Sequence, residues 1–193
     1  MSLLRRNASG EINGGGWSPR ARRIDSPNQN ERPDAEALSL IVVHAISLPP
    51  GQFGGDAIVR LFTNRLDASA HPYFAQISRL QVSAHFLVRR DGELIQFVSC
   101  EKRAWHAGLS SWQGREGCND FSLGIELEGS DELPFAAVQY RRLRELIQLL
   151  RARYPIEAVV GHSDVSPGRK TDPGPCFDWL RLASIGEFPG LCR

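Results

Sequence analysis

Two short apolar runs, each leading into a histidine, limit what this chain can fold into. Leu38-Ser39-Leu40-Ile41-Val42-Val43 ends at His44, and Ala158-Val159-Val160-Gly161 ends at His162. Runs this short and this rich in β-branched residues suit strands buried on both faces. Such strands need helices on the two sides of their sheet, so the expected class is α/β. A Pro/Gly-containing loop follows each histidine: Ser47–Gly51 after the first, Ser163–Pro175 after the second. Open α/β sheets place ligands beyond the carboxyl ends of their strands. A core histidine that merely caps its strand is the plainer reading of either position taken alone.

The second loop carries unusual chemistry. Within Gly161–Pro175 stand His162, Asp164, Lys170 and Asp172, a density of charge that a core rarely needs. Three prolines and two glycines between residues 167 and 175 fix or free φ, which predicts a shaped loop. Pro173 favours an extended backbone at Asp172, so Lys170 and Asp172 project to the same side. Two histidines and one carboxylate with an open fourth position make up a catalytic zinc site. Asp164 and Asp172 both compete for the carboxylate place. A structural zinc site would use cysteine, and Cys100, Cys118, Cys176 and Cys192 are far apart with no C-x-x-C. They are expected as free thiols of a cytoplasmic protein.

At 193 residues the chain suits one domain with tails. Polar, Gly-rich residues 1–16 read as a disordered tail, 17–185 as the domain, and 186–193 as a loose end. Trp17 to Asp34 reads as an irregular arm. Helices are expected over Asp56–Leu66, along the stripe Tyr140, Leu143, Ile147, Leu150 and Tyr154, and near Phe177–Leu182. The segment from His71 to Leu80 is short and helical or irregular. Ala84–Val88 and Leu94–Val98, joined by Asp91-Gly92, form the clearest hairpin. Its His85 reads as structural. Net charge +1 gives no global attraction to nucleic acid or acidic membranes, and no apolar stretch approaches a membrane span.

Phe121–Gly129 alternates strictly, with Phe121, Leu123, Ile125 and Leu127 on one face and Ser122, Gly124, Glu126 and Glu128 on the other. The polar face belongs either to a solvated edge strand or to a cleft. Glu126, deep in the strand beside side-chain-free Gly124, is the candidate base; Glu128, at the strand end, is the more solvated of the two. Periodicity cannot separate them. Lys170 is the candidate oxyanion partner. The Ala104–Gly108 segment, with Trp105 and His106, either floors a cleft or packs in the core. Gly161-His162-Ser163-Asp164-Val165 is not a nucleophile elbow, because Val165 stands where G-x-S-x-G needs glycine.

Taken together, Val42–Gly51, Arg103–Gly108, Asn119–Gly129, Gly161-His162-x-Asp164 and Arg169–Gly174 resemble the AmpD family of zinc amidases, which shares its fold with phage T7 lysozyme and the peptidoglycan recognition proteins. The resemblance runs from about Trp17 to Trp179. It implies a single α/β domain with a mixed central sheet flanked by helices and the zinc site at one edge. It implies one Zn2+ per chain on His44, His162 and Asp172, with Glu126 as catalytic carboxylate and Lys170 beside the metal. Tyr73, Trp105, His106 and Arg115 stand as candidate substrate contacts. The implied reaction cuts the amide between anhydro-N-acetylmuramic acid and L-alanine in muropeptides during peptidoglycan recycling, which lowers AmpC β-lactamase induction. The partner is then a small-molecule muropeptide, with no nucleic acid, no membrane and a monomeric chain. A non-catalytic muropeptide-binding module on the same fold is the alternative. The chain departs from the family at Gln81 and Gly117, where arginines hold peptide carboxylates, and at Ala45.

Overall fold

The computed structural model describes residues 10–34 and 38–185. Its strands are β1 (Arg22–Arg23), β2 (Gln29–Glu31), β3 (Leu40–Ile46), β4 (Phe86–Val88), β5 (Leu94–Gln96), β6 (Lys102–Ala104), β7 (Ser111–Trp112), β8 (Arg115–Glu116), β9 (Ser122–Glu128) and β10 (Ala158–Gly161). The helices are α1 (Ala57–Phe62), α2 (Pro72–Ile77), α3 (Ala137–Arg153) and the single turn α4 (His162–Val165). Residues 118–120 and Trp179–Ile185 are 3-10 helix, the latter where a closing helix was expected.

Six strands make one mixed sheet in the order β1-β5-β4-β9-β3-β10. Strands β4, β9, β3 and β10 run parallel; β5 returns antiparallel to β4 through the Asp91-Gly92 turn. The register is what matters for function. His44 pairs with Glu126, and Val43 pairs with Gly161, so His162 follows directly at the end of the edge strand β10. In-register neighbours in a parallel sheet project to the same face.

One face of the sheet packs on α3. Ile41, Val43, Leu123, Ile125 and Leu127 meet Leu143, Leu146, Ile147 and Leu150 in one cluster. Helix α3 forms because those apolar residues recur at helical spacing with arginines outside them. Gln139 fixes its start: the side-chain Oε1 accepts from Ala136 N, and Nε2 donates to the carbonyls of Val88 and Glu128. Arg151 and Arg153 in the last turn complement the helix dipole, and Pro155 follows it. Leu87, Ile95 and Phe97 pack with Ile58, Leu61 and Phe62 of α1 in a second cluster.

Three expectations change. Strand β9 is central, and its Ser122–Glu128 face lies beneath the second layer, with all seven residues buried. Glu128 is therefore not solvated: it is 2 % exposed, pairs with Arg89 at 3.3 Å, and accepts from the backbone N–H groups of Gly54 and Arg90. The expected tail also begins to fold before residue 17. Ile12 is in the main core, Asn13 Oδ1 accepts from Gly15 N and Trp17 N, and the Gly16 carbonyl accepts from Cys100 N and Gln96 Nε2. One apolar side chain and a turn suffice to anchor it, against the pull of the flanking glycines. Residues 1–9 and 186–193, expected as tails, lie outside the described residues.

Glu128 ties the β3–α1 loop to the β4–β5 turn, so its loss leaves two backbone N–H groups without their acceptor and Arg89 with Glu93 as its ion-pair partner. Glu128→Ala should cost about 2–4 kcal/mol in urea unfolding; a change under about 1 kcal/mol would contradict this.

Candidate metal centre and active site

The register delivers two imidazoles to one point, and the 162–174 loop delivers a carboxylate. His44 is 1 % exposed near the end of β3, and His162 is 3 % exposed at the first position of α4. The loop folds back because Ser166 N–H donates to the His162 carbonyl, Lys170 N–H to the Ser166 carbonyl, and Ser163 N–H to the Asp172 carbonyl. Asp172 Oδ2 then lies 3.1 Å from both His44 Nδ1 and His162 Nδ1, and the two Nδ1 atoms are 3.0 Å apart. Among the described residues this is the group of His, Cys, Asp and Glu close enough to share one ion.

The donors fit a borderline divalent cation. Ligands at about 2.0–2.1 Å in a tetrahedron leave neighbouring donor atoms about 3.3 Å apart, close to the triangle observed. Two nitrogens, one oxygen and no thiolate make a set that zinc accepts. The outer nitrogen of each ring is already engaged. His162 Nε2 lies 3.1 Å from the Ala107 carbonyl, which can only accept, so that nitrogen carries the proton and Nδ1 keeps its lone pair. His44 Nε2 lies 3.0 Å from His106 Nδ1.

Electrostatics follow from burial. His44 is pushed down to about 4 by desolvation and by His162, against the hydrogen bond to Asp172. Burial raises Asp172, but the two imidazoles 3.1 Å from its Oδ2, His162 and His44, outweigh this and hold it below the usual carboxylate range. Glu126 moves the other way. Desolvation and the Asp172 charge push its carboxyl well above the ordinary value, with Lys170 opposing. Its Oε2 is buried and has no hydrogen-bond partner among the described residues. A buried oxygen left unpartnered is costly in a core and useful where a proton must be taken up. Lys170 is exposed, and its charge reaches both His44 and Glu126.

Asp164 does not join the cluster; its Oδ2 accepts from Gly161 N at 2.8 Å and so closes the first turn of α4. Trp105 is half-buried, and its Nε1–H donates to Asn30 Oδ1. Tyr73 is half-buried on α2, packed against the α1 cluster. Two of the expected substrate contacts have partners within the protein. Both ring nitrogens of His106 are engaged inside the protein, by His44 and by Ser122. Its ring fills the space beside Gly124 that the sequence left open. Arg115 stacks on Phe121 at 4.0 Å and borders a cleft with Ser39 and Glu157. Ser39 precedes β3, five residues and about 16 Å before His44 along an extended strand, so this cleft lies toward the other end of β3. Sequence reasoning missed Asn119, whose Oδ1 accepts from both His106 N and Ala107 N, and Arg32, which donates to the carbonyls of Asn119, Asp120 and Ser122. Clefts of about 590 Å³ and about 700 Å³ flank the loop that carries Asp172, the second between Gly108, Gly117, Ser166 and Arg169.

A mixed sheet, a two-histidine and aspartate cluster at its edge that could hold a metal ion and, on the next strand, a buried Glu126 Oε2 with no hydrogen-bond partner among the described residues make up a site of the amidase type. Residues 34–175 match the family model described as N-acetylmuramoyl-L-alanine amidase, and the chain belongs to that family. It is 57 % identical over 172 residues to the 1,6-anhydro-N-acetylmuramyl-L-alanine amidase AmpD of Citrobacter freundii, covering 88 % of this chain and 92 % of that one. A crystal structure of a selenomethionine AmpD derivative superimposes with TM-score 0.87 at 56 % identity, over 90 % of this chain and 98 % of that one. The Escherichia coli amidase AmiD, solved with anhydro-N-acetylmuramic acid-L-Ala-D-γ-Glu-L-Lys, aligns with TM-score 0.57 at 30 % identity, over 93 % of this chain and 66 % of that one.

The buried imidazoles make zinc-free protein acid-labile. His44, His85 and His106 are all lowered, chiefly by desolvation, from the ordinary 6.5. The unfolded chain therefore takes up protons that the folded one refuses, and the stability present above about pH 6.5 is lost as pH falls through the folded values, about 4 for His44. Glu126 has the opposite sign: its raised carboxyl contributes stability at low pH that is lost as pH rises through the folded pKa. Thermal unfolding of zinc-free protein should show Tm falling from pH 6.5 to pH 4, and Glu126→Gln should raise Tm at pH 8. A flat profile, or a lower Tm for the variant at pH 8, would contradict the assignment.

Proposed function

We propose that the chain hydrolyses the amide between the lactyl group of 1,6-anhydro-N-acetylmuramic acid and the L-alanine of a muropeptide, with one zinc ion held by His44, His162 and Asp172. The buried Glu126 Oε2, without a hydrogen-bond partner among the described residues and one strand from the donor triangle, carries this reading. A binding module has no use for it. The AmpD relatives' names and the AmiD complex with an anhydro-muropeptide supply the substrate class. Cytoplasmic recycling of cell-wall fragments fits the free thiols Cys100 and Cys118, both buried.

Zinc bound there supplies Lewis-acid polarisation of the scissile carbonyl. Glu126 accepts a proton from the attacking water and returns it to the alanine nitrogen as the C–N bond breaks, leaving a lactyl carboxylate and a free amine. Its raised affinity for protons suits both halves of that transfer. The Lys170 ammonium faces the negative charge that grows on the carbonyl oxygen. Asp164, by closing α4, holds His162 at the strand end.

Incubation of zinc-loaded protein with an anhydro-muropeptide, followed by mass spectrometry, should release the intact stem peptide. Glu126→Gln should retain zinc and lose turnover by about 10²-fold or more. Turnover within a few-fold of the parent would remove Glu126 from the mechanism. The rate should also fall as pH drops through the raised Glu126 pKa, since the protonated carboxyl cannot accept.

A further inference from the structure

The hydrogen bonds behind His44 form a chain whose direction is set at its far end. Ser122 Oγ lies 2.5 Å from the Cys118 carbonyl. A carbonyl has no proton to give, so the serine hydroxyl donates there and its oxygen is left as an acceptor. His106 Nε2, 3.3 Å from that oxygen, is then the donor. Neutral imidazole carries one N–H, so His106 Nδ1 is a bare acceptor. His44 Nε2, 3.0 Å from it, must donate, and His44 Nδ1 keeps its lone pair toward Asp172 and His162.

We propose that His106, oriented by Ser122 and the Cys118 carbonyl, is a positioning residue that fixes the tautomer and ring angle of His44 and so prepares its Nδ1 for the metal. The proposal rests on the zinc reading above. Three further contacts show that the ring is placed by the fold. His106 stands edge-on to His44, with ring centroids 5.1 Å apart at 86°. Its backbone N–H donates to Asn119 Oδ1 at 3.1 Å. Gly124 leaves room for it: a Cβ there would come within 2.5 Å of His106 Cγ. Gly124 thus needs to be glycine for steric reasons, although its φ is not in the left-handed region. The two metal-facing histidines are then held by different means, His162 by a backbone carbonyl and His44 by a side chain. Only the second can be edited without moving the main chain.

The test uses the full chain and zinc alone, with affinity measured by competition against a chromophoric chelator. His106→Asn puts Oδ1 where Nδ1 stands and should keep affinity within a few-fold. His106→Leu removes the acceptor and should lose about 10- to 100-fold. Ser122→Ala, which keeps the ring but frees its orientation, should fall between and serves if the leucine variant does not fold. Nitrogen-15 NMR of zinc-free parent protein should show His44 protonated at Nε2. A leucine variant within twofold of the parent, equal losses for Asn and Leu, or a His44 proton on Nδ1 would overturn the inference. A parent that binds no zinc would instead overturn the metal reading, while the NMR result would still report on the tautomer.

Discussion

The parallel register of β9, β3 and β10 is the constraint on which everything else depends. Because His44 sits opposite Glu126 and His162 follows Gly161, itself opposite Val43, three adjacent strands present their functional side chains in one row on one face. A slip of one residue in any of these pairings would turn that side chain to the α3 face. The apolar alternation that buries Leu123, Ile125 and Leu127 against α3 therefore also aims Glu126 at the site. Packing and chemistry share one periodicity, and the sheet supplies rigidity that a loop could not.

Around that row the protein keeps opposite charge states side by side. Desolvation drives the His44 imidazole toward neutrality and the Glu126 carboxyl toward its protonated form, while the two imidazoles beside Asp172 keep its carboxylate ionised. Neutral nitrogens and an ionised oxygen are what a divalent cation requires of its ligands. The more distant supports follow the same logic. Arg32 is buried, lowered to about 10 by desolvation, and spends its donors on carbonyls of residues 119–122. That turn in turn carries Asn119, which holds the His106–Ala107 backbone.

Much of this was legible in the residues, and what was not has a common cause. The strand runs before His44 and His162, the Asp91-Gly92 hairpin and the stripe of α3 are local signals, and the structure has all of them. Asp172 and Asp164 were equal on composition; only the fold of the loop puts one in the cluster and the other on Gly161 N. Glu128 looked solvated because its partners, Arg89, Gly54 and Arg90, come from two other segments of the chain. Ile12 and Arg32 lie in stretches whose glycines, prolines and polar residues suggested irregular arms, and no local pattern marks a residue such as Arg32, whose role is set by contacts 87 to 90 positions away. His106 could not be assigned from sequence, since its task is decided by which ring nitrogen faces which neighbour.

The most direct measurement is anomalous diffraction at the zinc absorption edge from crystals of the chain grown with zinc. The account predicts one strong peak among His44 Nδ1, His162 Nδ1 and Asp172 Oδ2, with Glu126 facing it. No peak there, or a zinc ion held by Asp164 or by the cysteines, would contradict it.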